Sequence, residues 1–416
     1  MSAIQAPRGT FDVLPADAAR RAVLEDRAHR VLGAAGYARI ETPTFEATEL
    51  FARGVGESTD IVQKEMYTFD DGGGRSLTLR PEGTAPVCRA YLEHGMHKLA
   101  QPVKLWYLSS FYRAEAPQRG RYRQFWQVGA EAIGSPSAET DAELILLLAE
   151  LLGTVGVREV RLRLSSLGTP ATRAEYREEL TAFLHAHEDG LSPEVVSRID
   201  LNPMRAFDAD DRSTAATMRD APLLLDRLAP ADAEHFARVR ELLDAAEQPY
   251  ELDPTLVRGL DYYARTVFEF ASDALGAQSG VGGGGRYDGL IEQLGGSPTP
   301  ASGWAAGVER MLLAAGDLPV AAEAVDLFVA QAAPEAASGA FALAHEARHA
   351  GLRAQMELAG RSLKGQLRHA DRVGARYVAI VGPPGEGVGF RDMESGDQTE
   401  LEARSVIARV LRGSSL

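Results

Sequence analysis

Residues 103–133 read VKLWYLSSFYRAEAPQRGRYRQFWQVGAEAI. Two apolar stretches, 103–111 and 125–133, flank a polar loop, 113–123, with arginines at 113, 119, 121 and 123. Strand-forming runs joined this way predict a long antiparallel hairpin. Side chains alternate across a strand, so Phe125, Gln127, Gly129 and Glu131 share one face. An aromatic, an amide and a carboxylate beside several guanidiniums make a polar pocket. Arginine suits phosphate there, because its planar fork donates two parallel hydrogen bonds. On spacing alone, a solvated charged hairpin accounts for the same residues.

Working outward, residues 18–35 have helical spacing and stop at Gly36, and 76–79 read as a strand. Residues 141–152 read as an amphipathic helix. Residues 159–164 read as a strand with Val160, Leu162 and Leu164 turned inward. The segment 169–249 is charged, helical and poor in glycine motifs, consistent with an inserted subdomain. Strand-like, glycine-rich sequence returns at 250–290, and 303–315 is a glycine-flanked strand leading into a helix. A linker is expected at 316–323. Beyond it come a strand (327–330), a helix near 338–350, a basic helix at 361–372 and a buried strand (377–381). That alternation implies a small α/β domain with some parallel pairing.

The length, 416 residues, allows two or three domains. No apolar run approaches the roughly 18 residues of a membrane span, and the longest, near 144–152, carries Glu150. The N-terminus lacks a basic segment followed by an apolar stretch, so no secretory signal is expected. Cys88 is the only cysteine, which excludes a disulfide framework and suits a reducing cytoplasm. The net charge of −15 weakens a nucleic-acid reading without excluding it, because binding depends on local patches.

Three further motifs are ambiguous taken singly. LVRGLDYY (256–263) reads as an apolar strand holding Arg258, Asp261 and paired tyrosines. A buried arginine needs a partner, either an acidic residue or an anionic ligand. GGGGRYD (282–288) lets a backbone approach another chain or a ligand closely, although a flexible turn is the commoner reason for such a run. It is neither a P-loop nor a Rossmann fingerprint, since no GxxxxGK[ST] occurs and the run opens no helix. Arg361, Lys364, Arg368 and Arg372 fall on one helix face, either a solvated surface or an RNA-backbone stripe. His94 and His97 lack a third ligand, so no metal site is expected.

In chain order these motifs resemble the histidyl-tRNA synthetases, a family of class II aminoacyl-tRNA synthetases. The resemblance runs through PRGTFD (7–12), KEMYTF (64–69), LTLRPEGT (77–84), the hairpin at 111–131, LVRGLDYY, GGGGRYDGL and GWAAGVER (303–310). It implies an α+β protein: an antiparallel-sheet catalytic domain over 1–320 with a helical insertion at about 169–249, and an α/β anticodon-binding domain over 321–416. The implied activity is histidine–tRNA ligation through a histidyl-adenylate, in a cytoplasmic homodimer that uses ATP with Mg2+ and has no tightly bound cofactor. Arg113 and Arg258 would be catalytic at the α-phosphate. ATP would also meet Glu115, Phe125 stacking on adenine, and Arg310 at the distal phosphates. Histidine would be held by Glu82, Gly83, Thr84, Gln127, Glu131, Tyr262, Tyr263 and Tyr287. The tRNA would meet Gln118, Arg119, Arg121 and Arg123, and Arg361, Lys364 and Arg368. Two positions depart from the family pattern. Ala116 replaces an arginine in the loop facing the tRNA acceptor end, and Trp126 replaces a histidine, where alternation predicts a packing role. The rival reading is a non-catalytic, synthetase-like regulatory subunit of ATP phosphoribosyltransferase. Retention of Arg113, Arg258 and Arg310 argues against it.

Overall fold

A computed structural model describes residues 3–56, 59, 61–209, 211–256, 262–276, 279–320 and 324–414. The chain divides into two compact units, Met1–Val320 and Ala321–Leu416. The strands of the first are β1 (Ala38–Arg39), β2 (Phe45–Ala47), β3 (Thr68–Asp70), β4 (Ser76–Leu79), β5 (Val103–Tyr112), β6 (Gln124–Ile133), β7 (Val160–Ser166), β8 (Glu251–Leu252), β9 (Ala264–Ser272), β10 (Gly280–Arg286) and β11 (Ala301–Gly307).

Eight of these form one sheet in the order β1-β5-β6-β11-β10-β9-β7-β8, and β2-β4-β3 form a small antiparallel sheet. The large sheet is antiparallel except at its two edges, where β1 and β8 pair parallel to β5 and β7. The hairpin is as long as its sequence predicts: Val103 opposes Ile133 and, nine residues on, Tyr112 opposes Gln124. Helices Pro15–Ala34 and Ala138–Val155 cover one face, packing Leu24, Leu144 and Leu148 against Val128, Ala130 and Trp304. Ser137 caps the second helix by accepting from the Glu139 N–H, and Gly156 ends it with a left-handed φ of 82°. The opposite face holds helix Thr84–Glu93 and an aromatic core that includes Tyr107, Phe111 and Tyr287. Cys88 is buried in this core. Between β7 and β8 the described chain is helices and turns, bounded by helices Pro170–Ala186 and Pro230–Ala245.

The second unit holds β12 (Leu327–Gln331), β13 (Ala354–Met356), β14 (Tyr377–Val381), β15 (Val388–Asp392) and β16 (Gln398–Leu401), in the order β13-β12-β14-β15-β16. The first three strands run parallel, and the last two pairings are antiparallel. Helices Ala337–His349 and Ala403–Ser414 pack on one face of this sheet, and Leu363–Arg372 on the other.

Four sequence expectations need correction. Of the two readings of GGGGRYD, close backbone approach holds and the commoner one, a flexible turn, does not: its glycines form β10 between two neighbours, where a Cβ at Gly284 would lie 2.0 Å from the Gly303 carbonyl oxygen. LVRGLDYY is not described as a strand. Residues 257–261 lie outside the described residues, and Tyr262 and Tyr263 precede β9, which starts at Ala264. Val160 is 37 % exposed at the open end of its strand, whereas Leu162 and Leu164 are buried as expected. Arg361 sits ahead of the basic helix, whose N-cap is Ser362, and pairs with Glu357, so only Lys364, Arg368 and Arg372 share the helical face.

Candidate active site

Two adjoining chambers open on the aromatic face of the large sheet. The smaller, about 200 Å³, is lined by Glu82, Thr84, Tyr107, Gln127 and the three tyrosines 262, 263 and 287. The larger, about 600 Å³, is lined by arginines 113, 121, 163, 205 and 310 with Phe125. Arg113 and Gln127 line both chambers and so mark the junction.

The small chamber is organised around Glu131, which is fully buried on β6. Its carboxylate takes three hydroxyls: Thr84 donates at 2.8 Å and Tyr107 at 3.4 Å to one oxygen, and Tyr287 at 2.5 Å to the other. Burial dominates these bonds and raises its pKa from the ordinary 4.5 to about 8. Glu131 is not itself among the lining residues; it orients the lining hydroxyls from one layer behind. Its seat requires glycine on the adjacent strand, since a Cβ at Gly303 would lie 1.7 Å from Oε2. Glu82, also buried, accepts the N–H groups of Thr84 (2.7 Å) and Ala85 (2.9 Å) at the start of helix Thr84–Glu93. Burial raises its pKa, and those bonds and the charge of Arg113 oppose the rise. The Gln127 side-chain oxygen is buried without a hydrogen-bond partner. Such an acceptor is costly unless a ligand donates to it.

The large chamber gathers five arginines among four glutamates. Arg113 is braced by its Nε donating to the Pro81 carbonyl at 2.9 Å, with its guanidinium 5.3 Å from the centre of the Phe125 ring. Arg310 donates from Nε to the Gly280 carbonyl. Burial, and then the nearby charge of Arg121, push its pKa down. An incoming anion would offset both effects by favouring the charged form. Glu115 lines the chamber and pairs with Arg121 at 3.6 Å. The hairpin tip is a tight turn rather than a loose loop: Gln118 and Arg121 exchange backbone bonds of 3.1 and 2.9 Å around exposed Arg119. Arg123 is tied back to the carbonyls of Glu115 and Arg8. Ala116 is exposed.

Strand alternation holds at the departure from the family pattern. Phe125 faces the chamber, whereas Trp126 turns away under Arg21, 4.3 Å from the ring centre, and the Trp126 backbone N–H donates to the Glu309 carboxylate. Arg258, expected at the α-phosphate, lies outside the described residues. Sequence reading missed Tyr107. Its signal was there, since the hairpin register places this aromatic directly opposite Gly129, an arrangement by which a ring covers a strand glycine. Arg163 and Arg205 were missed too, because they come from β7 and the inserted segment, far from the hairpin in sequence. Among the described residues no cluster of three or more His, Cys, Asp or Glu could hold a metal ion.

Residues 9–311 match the family model for histidyl-tRNA synthetase, and 325–412 match that for the anticodon binding domain. A histidine–tRNA ligase of Rubrobacter xylanophilus is 48 % identical over 410 residues, covering 95 % of this chain and 96 % of that protein. The apo S. aureus histidyl-tRNA synthetase structure is 34 % identical with a TM-score of 0.82, covering 98 % of this chain and 100 % of that one. A Bacillus halodurans structure described as an ATP phosphoribosyltransferase regulatory subunit/histidyl-tRNA synthetase shares the fold at 22 % identity and a TM-score of 0.65, covering 91 % of this chain and 98 % of that one.

Proposed function

The chain belongs to the histidyl-tRNA synthetase family, and from that premise we propose how its two chambers divide the work of a histidine–tRNA ligase. The enzyme activates histidine with ATP, giving histidyl-adenylate and pyrophosphate, and then transfers histidine to the 3′ end of its tRNA. Full-length identity of 48 % to a named ligase favours this over the regulatory-subunit reading.

The observation that carries the assignment is the junction of unlike chambers at Arg113 and Gln127. A carboxylate, a buried orphan acceptor and a tyrosine wall suit an ammonium group and an imidazole. Crowded arginines suit a polyphosphate. In the first step a histidine carboxylate oxygen attacks the α-phosphorus of ATP, and the bond to the pyrophosphate oxygen breaks. The reactants repel each other, so the rate depends on fixed cations and accurate placement. Arg113, and Arg258 by the family resemblance, would carry the α-phosphate charge, Arg310 would hold the distal phosphates, and Phe125 would lie under adenine. Arginine stays protonated and cannot consume the adenylate as a nucleophile. Glu82, Gly83, Thr84 and Gln127 would receive the α-amino group. Tyr262, Tyr263 and Tyr287, ordered by Glu131, would read the ring. A site whose buried polar groups go unpaired with the wrong ligand discriminates by about 10⁴–10⁵. In the second step a ribose hydroxyl attacks the acyl carbon and AMP leaves.

With no acidic cluster among the described residues, magnesium would arrive on the ATP phosphates rather than in a protein cage. The enzyme would act as a homodimer in the cytoplasm, without a tightly bound cofactor. The tRNA acceptor end would meet Gln118, Arg119 and Arg121, with Ala116 adjusting that contact and Arg123 bracing the loop. Residues 321–416 would take the anticodon, with Arg361, Lys364 and Arg368 toward the backbone. Charge supports this division: 321–416 carry 11 Lys and Arg against 12 Asp and Glu, whereas 1–320 carry 33 against 47. The acidity therefore sits almost entirely outside the segment proposed for the anticodon.

The test is exchange of labelled pyrophosphate into ATP with each amino acid in turn. Exchange with histidine alone is expected. Histidine binding with no exchange would return the reading to a regulatory subunit.

A further inference from the structure

The inserted helices meet the catalytic sheet at the segments that carry the tyrosines of the small chamber. Arg173, on helix Pro170–Ala186, donates to the Tyr263 carbonyl at 2.5 Å. Asp232, on helix Pro230–Ala245, is 1 % exposed and accepts from Arg265 Nε at 3.0 Å, from the Thr172 hydroxyl at 3.1 Å and from the Thr169 N–H at 2.8 Å. Arg265 stands two residues after Tyr263 with φ +49°, a left-handed conformation that persists only where its surroundings impose it. Its N–H donates to the Gly168 carbonyl, and its own carbonyl accepts from Leu167, both at 2.7 Å.

A second path starts three residues beyond Asp232 on the same helix. His235 Nε2 lies 2.8 Å from Asp141 Oδ2. Asp141 and Arg286 are both fully buried and joined at 2.6 Å. Arg286 also donates to the carbonyls of Ser135 (2.9 Å) and Ser137 (3.0 Å) and to Asp288 (3.1 Å). The next residue is Tyr287, whose hydroxyl reaches Glu131.

Thus two inserted helices reach the tyrosine segments by three routes: Arg173 on Tyr263 itself, Asp232 on Arg265, and His235 through Asp141 on Arg286. Both tyrosine segments lie just outside the strands; the ladder reaches them only at the Arg286–Ala264 pair and through the Tyr287 N–H, which donates to the Ala301 carbonyl at 2.8 Å. None of Arg173, Asp232, His235, Asp141, Arg265 and Arg286 lines the large chamber.

We infer that the inserted helical subdomain is the frame that sets the tyrosine wall of the histidine chamber, with Arg173, Asp232 and His235 as positioning residues for histidine recognition. This rests on the reading of that chamber as the histidine site. It makes these three residues of the insertion determinants of amino-acid affinity, apart from Arg205, through which the insertion meets the nucleotide chamber.

The experiment measures the histidine Kd by titration calorimetry and the ATP KM by pyrophosphate exchange for Arg173→Ala, His235→Ala and the double variant. Melting curves establish that each variant is folded. The expected result is a histidine Kd raised about tenfold in each single variant and further in the double, with the ATP KM within about twofold of the parent, as loss of a hydrogen bond involving a charged group implies. His235→Gln, which keeps a donor toward Asp141, should restore most of the affinity. Asp232→Asn, which keeps an acceptor, should fall between the parent and His235→Ala. Arg227→Ala, which breaks an exposed ion pair with Glu179 elsewhere in the insertion, should leave both constants unchanged. Unaltered histidine affinity in the double variant would overturn the inference. So would histidine and ATP affinity falling together, the signature of a merely structural role. Failure of the ligase reading looks different: the unaltered protein would bind histidine without exchange, or not bind it at all.

Discussion

The two chambers share Arg113 and Gln127 yet use opposite physics. The large one is wide and gathers five arginines, of which Arg310 is held below its ordinary pKa by burial and by the nearby charge of Arg121. The small one is narrow and buried, and its carboxylates are already satisfied by hydroxyls and backbone N–H groups. Fixed charge tolerates small displacements, because Coulomb energy falls only as the inverse of distance. Hydrogen bonds weaken steeply once geometry is lost. On the proposed assignment, the nucleotide would be held by an electrostatic field and the amino acid by shape. This fits the discovery that the shape of the small chamber is braced from several directions, and that of the large one mainly at single arginines.

The contrast can be broken in several ways. Arg113→Ala should have the largest effect, because it removes the cation at the junction. A roughly 10²–10³-fold loss of histidine-dependent exchange is expected, with histidine binding by calorimetry largely kept. Loss of histidine binding to a similar degree would erase the distinction between the chambers. Gly303→Ala strikes the other side: the new methyl displaces Glu131, overpacking of about 1–3 kcal/mol. Histidine affinity should fall roughly 10–100-fold while the ATP KM stays near the parent value.

Acidity sharpens the comparison further. Glu131 holds its proton up to about pH 8 in the fold, against an ordinary 4.5. Between those values the folded state binds more protons than the unfolded one, so stability falls as pH rises through that window and levels off above it. Glu131→Gln abolishes this fall. The melting temperature of the variant should gain on the parent from pH 5 to pH 8, and a constant difference would sink the assignment. The smallest effect should come from salt. Raising ionic strength from about 0.1 to 0.5 M shortens the screening length and should raise the ATP KM a few-fold, leaving that for histidine almost unmoved.

Much of this was legible in the residues. Hydrophobic alternation determined the 103–133 hairpin, and period 2 placed Phe125 and Trp126 on opposite faces, because a strand has no other way to present neighbours. The chain order of LTLRPEGT, GGGGRYDGL and GWAAGVER carried the family. LVRGLDYY misled as to secondary structure because its apolar, aromatic composition fits a strand, whereas Tyr262 and Tyr263 are held outside one by tertiary contacts. The glycine run misled the other way, since only the closeness of β9 and β11 shows why side chains are excluded there. Tyr107 was legible in the hairpin register opposite Gly129, whereas Arg163 could be assigned only once the distant strand β7 was packed into the sheet. The sequence by itself determined which residues face together within one element and which family they spell. The tertiary structure alone decided that Glu131 stands behind the wall rather than in it, and that Arg173, Asp232 and His235 grip that wall. Local periodicity sets direction along a strand or helix, but distances between elements far apart in the chain exist only after packing.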